Sequence, residues 1–404
     1  MSTMQAAYLS SSSVTKPRMS AKVLSQLTSC DCQLLFIVFC LSMIGLVMVG
    51  SSSVSTAGQL TGNPLYYFWR QLAYVSVGFI SLFIAYKIPL KFWSQSGLPL
   101  IFISIVLLIL VFIPGIGKQV NGSTRWINMG LFSLQVSEFV KLFAIIYVAG
   151  YLVRHNDALR SHTAGFLKPL GLLSIIVFLL LLEPDFGAAV VLLATTMGML
   201  WLGGAKPWQF LLLISALVSL LGLLAVLSPY RLQRLTTFLD PWSDPFNSGF
   251  QLTQALIAFG RGEWFGVGLG SSVQKLFYLP EAHTDFLFAV MSEELGLISG
   301  VIVIGLFAFV VFRSLYIGFR AEKHEHAFGG YLAYGIGLWI GLQAFINIGV
   351  NMGVLPTKGL TLPFMSYGGS SIVVMCIAIG LVLRVNFEVR QYDRHVHSRY
   401  EVMK

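Results

Sequence analysis

The chain reads as long apolar runs separated by short polar stretches. A bilayer core takes about 20 mostly apolar residues per helix. Runs of that kind fall near 33–51, 66–86, 93–114, 138–153, 169–183, 186–203, 208–228, 285–312, 328–351 and 364–384. They predict an all-α polytopic membrane protein with about ten transmembrane helices. One connection is far longer than the others. Residues 229–284 separate the seventh and eighth runs and form a long extracytoplasmic loop before helix 8. Connections of this length are functional or carry structure of their own. A short surface helix is expected within it, from Gln251 to Phe259. Its run Gly266-Val267-Gly268-Leu269-Gly270 follows no strand of a βαβ unit, so it reads as tight turns and not as a dinucleotide site.

Composition supports the membrane reading. The 404 residues are 56% hydrophobic and 11% charged, whereas soluble domains carry about 25% charged residues. Net charge is +9. On a membrane chain such an excess sets orientation and meets anionic lipid, so no nucleic-acid partner is expected. An even number of spans places both termini on one side. With the termini cytoplasmic, the inner segments hold 17 of the 26 Lys and Arg residues, the asymmetry that orients membrane proteins. Ten of the 17 acids fall on the outer side or its adjoining helix ends, among them Glu138, Glu183, Asp185, Glu281, Asp285, Glu293 and Glu294. Acidic chemistry therefore faces outward.

The chain divides into three parts. Residues 1–31, rich in Ser and Thr and without a cleavable signal pattern, read as a disordered cytoplasmic tail. Residues 32–388 form one transmembrane domain, and 389–404 a second cytoplasmic tail. Cys30-Asp31-Cys32 has no partner Cys or His at ligand spacing, so its thiols read as ordinary reduced cysteines.

Three clusters carry candidate chemistry. The first is Leu279-Pro280-Glu281-Ala282-His283-Thr284-Asp285-Phe286, which runs into an apolar segment holding Glu293-Glu294. Carboxylates cost several kcal/mol in or near hydrocarbon and rarely sit there without a task. Asp285 could cap a helix or serve as a base. His283 could orient a carboxylate or bind a metal. On a continuous helix Glu293 and Glu294 would lie about 12 Å deeper than Asp285, about 80° and 180° around from it. They cannot share its face, so one of them is expected to pair with a neighbouring helix. The second cluster is Ser123-Thr124-Arg125-Trp126-Ile127-Asn128 with Ser137-Glu138-Phe139-Val140-Lys141. Glu138 and Lys141 are spaced i, i+3 and form either an internal salt bridge or the polar wall of a cavity shared with Asp285. The third is Leu355-Pro356-Thr357-Lys358-Gly359 followed by Pro363 to Ser371, where Lys358 could meet a phosphate.

Together these clusters resemble the SEDS family (shape, elongation, division, sporulation) over residues 31–390. The matching strings are Gly122 to Ile127, Glu183-Pro184-Asp185-Phe186-Gly187, Phe250 to Gln254, Leu279 to Phe286, Glu293-Glu294-Leu295-Gly296, and Leu355 to Ser371. The stretch 356–363 and the N-terminal extension look more like the division member than the elongation member. One departure is Val136, where the family usually has proline; it bears on the start of that helix, not on Glu138.

The resemblance implies a peptidoglycan glycosyltransferase that polymerises lipid II at the division septum of the bacterial inner membrane. Asp285 takes the position of the family's essential acid. A divalent cation (Mg2+ or Mn2+) is implied, with no organic cofactor and metal ligands not identified. A class B penicillin-binding protein and other divisome membrane proteins are the implied partners. The residues agree with this chemistry. Glycosyl transfer needs a proton acceptor for the attacking hydroxyl, and a pyrophosphate leaving group needs cationic stabilisation. Arg125, Lys275, Arg261 and Lys358 are the outer cations that could supply it. The alternative is a transporter that flips lipid-linked precursors along a polar path through Glu183, Glu293 and Glu294.

Overall fold

The computed structural model describes residues 31–402, except 121–122, 129, 131–132, 212–214, 216–237, 239, 248, 277 and 357–358. The tail 1–30 and most of the seventh apolar run therefore lie outside the described residues.

The described chain is almost wholly helical. In order come α1 (Cys32–Thr61), α2 (Tyr66–Lys87), α3 (Leu90–Gln95) and α4 (Gly97–Val111). Strands β1 (Gly117–Val120), β2 (Ser123–Asn128) and β3 (Ser133–Gln135) follow. Then come α5 (Val136–Arg154), α6 (Asn156–Ser161), α7 (Thr163–Leu182), α8 (Phe186–Leu202) and α9 (Phe250–Gly262). The last three are α10 (Leu287–Lys323), α11 (Ala327–Asn351) and α12 (Gly369–Val402). Among the described residues seven helices, α1, α2, α5, α7, α10, α11 and α12, are long and apolar enough to cross a membrane. Helices α4 and α8 are shorter apolar helices. The molecule is a multi-pass membrane protein. Helices α5, α11 and α12 are buried along most of their length and form the centre of the bundle.

Several boundaries differ from the hydropathy reading. The run 93–114 is broken at Ser96. Pro99 has no N–H for the carbonyl of Gln95, so the helix restarts just before it. Helix α1 continues ten residues past the apolar run, to Gly62 in a left-handed cap at φ 71°. At the end of the apolar run, Ser51 donates to Glu294 at 2.7 Å. The last helix begins at Gly369, not 364, because residues 364–368 form a hydrogen-bonded turn region. It then runs on past 384, with Arg384 and Glu388 paired at 2.7 Å on its polar face. Val136 occupies the first position of α5. A family proline would sit there without losing a helical bond, so its absence does not move the helix start.

Two features were not expected. The polar stretch 117–135 forms a three-stranded antiparallel sheet in the order β1-β2-β3, with Trp126 opposite both Lys118 and Gln135. The other is a break in α10 at Gly296, where φ is 78°. In an unbroken helix the carbonyls of Glu293 and Glu294 would accept from Leu297 N and Ile298 N. Here those carbonyls accept from Val267 N and Gly268 N, each at 3.0 Å. Leu297 N and Ile298 N donate instead to the carbonyls of Glu263 and Trp264, at 2.9 and 3.3 Å. Only glycine serves at 296, since a Cβ there would lie 2.4 Å from Trp264 O.

One of the acid pair does meet a neighbouring helix, Glu294 through Ser51 of α1. The break adds partners for both carboxylates, because the loop wraps the broken helix and supplies them from its own backbone and side chains. Glu293 accepts from Arg261 Nη1 at 3.1 Å, from Ser272 Oγ, and from Val273 N at 3.2 Å. Glu294 accepts from Lys275 Nζ at 2.8 Å and from Ser51.

The bundle has two distinct ends. At the end where α1 begins and α10 finishes, Arg313 pairs with Asp31 and Arg320 with Asp393, both at 2.7 Å. The sheet, the α7–α8 turn, the loop 263–286 and the segment 355–368 gather at the other end.

Candidate functional site

Asp285 sits two residues before α10, on the loop that packs against the end of the bundle. It is half-buried. Burial, then the nearby charge of Glu281, pushes its carboxyl up to about 7, with Asp185 adding to the rise and Arg125 opposing it. A carboxylate so placed is a far better base near neutral pH than a free aspartate. Segment 355–368 crosses beside it. A Cβ at Gly359 would lie 3.1 Å from Asp285 Oδ2 and 4.0 Å from Arg125 Nη1. Gly359 thus lies between the Asp285 carboxylate and the Arg125 guanidinium, and its missing side chain leaves that gap open.

Arg125 comes from β2, so the unexpected sheet places one of the site's cations. Its Nη2 donates to Pro184 O at 2.6 Å and its Nε to Glu183 O at 3.4 Å. Its Nη1 lies 3.9 Å from Asp185 Oδ1. The fork clamps the α7–α8 turn by its carbonyls. This turn carries two buried acids. Asp185 Oδ1 caps α8 by accepting from Ala188 N at 3.2 Å, while its Oδ2 is buried without a hydrogen bond. Glu183 is fully buried, and neither of its carboxylate oxygens has a hydrogen-bond partner. Burial, reinforced by Asp185 and opposed by Arg125, pushes Glu183 up to about 8. Its carboxyl is held mostly in the neutral form at pH 7.

The remaining candidates fall elsewhere. His283 lies against Tyr67, ring centroids 4.7 Å apart, and against Tyr367 at 5.6 Å. Burial lowers its pKa, with Glu281 opposing. Glu138 and Lys141 form an internal pair, 2.9 Å apart and both buried. Lys141 also donates to Gln343 at 2.7 Å and lies 5.3 Å from the Trp339 ring. The pair reaches the segment beside Asp285 through Gln343, which donates to Thr361 O at 3.1 Å. Lys275 and Glu293 belong to the ion pairs that pin the loop to α10, and neither bonds Asp285. Lys358 lies outside the described residues.

Asp185 and Gly359 were not singled out as site residues in the sequence, and Glu183 only as part of a transport path, although all three stand in strings quoted there. The local signal is a Glu-Pro-Asp turn between two apolar runs: two acids at a helix junction with no basic residue within a turn.

Comparison with known proteins follows the same lines. The family model described as cell cycle protein, FtsW/RodA/SpoVE, matches residues 32–391. A Thioalkalivibrio sulfidiphilus protein named "Probable peptidoglycan glycosyltransferase FtsW" is 58% identical over 89% of this chain and 90% of its own length. A protein of the same name from Nitrosococcus halophilus is 58% identical over 89% of this chain and 93% of its own. Among solved structures, a chain from work on "Structural coordination of polymerization and crosslinking by a peptidoglycan synthase complex" superposes with a TM-score of 0.73. That chain is 29% identical, and the match covers 90% of this chain and 99% of that one. Sequence match and fold together place this chain in the SEDS family, the FtsW/RodA/SpoVE cell cycle proteins.

Proposed function

We propose that this chain is a peptidoglycan glycosyltransferase that polymerises lipid II into glycan strands, with Asp285 as general base. The observation that carries the reading is the half-buried Asp285 carboxyl, its pKa raised to about 7, with Gly359 set beside both it and Arg125. The names of the relatives and the solved peptidoglycan synthase complex support it.

The transfer balances on these groups. The acceptor hydroxyl oxygen attacks the donor anomeric carbon and forms the new glycosidic bond. Its proton passes to Asp285. The bond from the anomeric carbon to pyrophosphate breaks, and the lipid pyrophosphate leaves with the electron pair. Arg125 offsets negative charge developing beside Asp285. Lys358, which immediately precedes Gly359 in sequence, is the second cation assigned to the leaving group.

A divalent cation belongs to this proposal. Among the described residues no three His, Cys, Asp or Glu side chains converge as a metal site. Mg2+ ordinarily uses one or two carboxylates together with substrate phosphates and water. The unpartnered Oδ2 of Asp185 is a donor of that type. The residues therefore fit a cation that arrives with the pyrophosphate, not a protein-only cage. When bound it supplies charge neutralisation for the leaving group.

The protein is placed in the bacterial inner membrane at the septum, with both termini cytoplasmic and the Asp285 end facing outward. The basic residues at the opposite end of the bundle, including Arg313, Arg320, Lys323 and Arg384, agree with that orientation. A class B penicillin-binding protein is the proposed partner, with other divisome membrane proteins. Lipid flipping is less well supported. Two of the acids it would use as a polar path, Glu293 and Glu294, are bonded into the loop.

The test is incubation of the purified protein and its transpeptidase partner with lipid II, followed by sizing of the product. Wild type should give long glycan and Asp285→Asn none, with insertion and partner binding unchanged. Near-normal polymer from Asp285→Asn would overturn the assignment of the base. Lipid movement without polymer from wild type would overturn the reaction.

A further inference from the structure

Helix α11 carries Gln343, Asn347 and Asn351 at i, i+4 and i+8, so the three amides lie along one face. All three are buried, and unlike Gln71, Gln209, Gln274 and Asn386 none of them has a buried side-chain atom without a partner. Asn347 Nδ2 donates to Asp285 O at 2.9 Å and to Leu360 O at 2.6 Å. Asn351 Nδ2 donates to the same Asp285 carbonyl at 2.9 Å, and its Oδ1 accepts from Ala289 N at 3.1 Å. Gln343 Nε2 holds Thr361 O, while its Oε1 accepts from Lys141 Nζ and from Trp339 Nε1 at 3.0 Å.

The grip extends along the chain. Tyr367 N donates to His283 O at 2.9 Å, and Ser366 Oγ donates to Thr284 O at 2.5 Å. Three successive carbonyls, 283, 284 and 285, are thus each bonded from α11 or from the segment after it. The same ladder holds Leu360 and Thr361, which immediately follow the glycine beside the Asp285 carboxylate.

We infer that the Asn347–Asn351 pair, backed by Gln343 and the buried Lys141–Glu138 pair, is the positioning device for Asp285 and sets the gap in which the acceptor hydroxyl meets its base. The inference rests on Asp285 being the base of the proposed polymerase. Two donors on one carbonyl fix the peptide plane that follows Asp285, and with it the direction of the side chain. The same donors fix the segment on the opposite wall of the gap. One face of one helix therefore sets the spacing of both walls. The ion pair at the inner end of the ladder gives Gln343 a charged partner and holds its carbonyl oxygen so that its amide must point to Thr361.

Asn347→Leu keeps the number and branching of side-chain heavy atoms and removes both donated bonds. Asn351→Leu removes one of the two bonds to Asp285 and leaves Asn347 in place. Polymerisation of lipid II by the wild-type complex, both variants and Asp285→Asn is measured across pH 5–9. A misplacement of about 1 Å costs on the order of 100-fold. Asn347→Leu should therefore lose roughly that in kcat, with KM for lipid II within about threefold. Asn351→Leu should lose less. The acid limb of the kcat profile should move in both, because Asp285 shifts relative to Glu281, Arg125 and Asp185, the charged groups around it. An unchanged kcat and pH profile in folded Asn347→Leu overturns the inference. So does a loss of activity that only follows lowered thermal stability, with the acid limb unmoved. If neither variant folds, the amides are structural and the inference falls. A wild-type complex that makes no polymer sinks the proposed function instead.

Discussion

Glu294 and Glu183 are both fully buried at the same end of the bundle, and they are treated in opposite ways. Glu294 is met by a lysine, a serine hydroxyl and a backbone N–H. Its neighbour Glu293 is met by an arginine, a serine and two backbone N–H groups. Glu183 has no hydrogen bond to either oxygen. Asp185 beside it is half satisfied, and Asp285 is pushed up to about 7. A buried carboxylate with a full set of donors acts as a fastener. One left without them is poised to take up or release a proton. Burial alone does not separate scaffold from chemistry in this chain; the inventory of partners does.

The comparison breaks most sharply at Asp285. Asp285→Asn removes the proton acceptor from the uncompensated group and should cut polymer formation by about 10²–10⁴-fold while leaving thermal stability near wild type. In the wild type, Asp285 must be ionised to act, so kcat should rise with pH through about 7. A flat profile from pH 5 to 8 would show that another group takes the proton.

Among the compensated acids the effect is on stability. Lys275→Met leaves Glu294 buried without its cation and should cost about 3–5 kcal/mol, seen as a fall in melting temperature in detergent. Adding Glu294→Leu should recover much of it. A single variant as stable as wild type would mean that the pair does not fasten the loop.

Glu183→Gln tests the opposite case. The folded-state pKa of Glu183 is raised from 4.5 to about 8. The folded protein therefore binds more protons than the unfolded chain between those values, and wild-type stability falls as pH rises across that window. Glutamine does not titrate. The variant should match wild type near pH 4 and be more stable at pH 8, by on the order of 1 kcal/mol or more. Equal melting temperatures at pH 8 would show that Glu183 has partners in solution.

The smallest effect is expected at Gly359. Gly359→Ala brings a methyl to 3.1 Å from Asp285 Oδ2, inside ordinary van der Waals contact, so the carboxylate must give by a few tenths of an ångström. A drop of roughly threefold in kcat, without loss of folding, is expected from so slight a displacement. A drop as large as that of Asp285→Asn would mean that the segment cannot give at all.

The spans were legible because a bilayer demands length and apolarity, and both are written locally. Asp285 stood out as a candidate because a carboxylate at the mouth of an apolar run has few reasons to be there. The sheet 117–135 was not, since three strands of three to six residues in a polar stretch leave no alternation long enough to read. The pairing of both Glu293 and Glu294 was hidden by the assumption of a continuous helix. Their partners Ser51, Arg261 and Lys275 are distant in sequence or stand on the loop, and only the break at Gly296 brings that loop alongside. Glu183 and Asp185 could be quoted as a string, but their lack of partners is a property of three dimensions. The amides of α11 look in sequence like isolated polar residues in an apolar helix.

The exchanged hydrogen bonds at Gly296 carry one more consequence. Residues 263–268 complete the peptide ladder of α10 as though they were part of it, lending it two amides and two carbonyls. Pulling that segment away would strip four backbone groups at once in a region with little water to replace them. Undocking of the chain that leads to Asp285 should therefore be cooperative, a single snap with no half-released states.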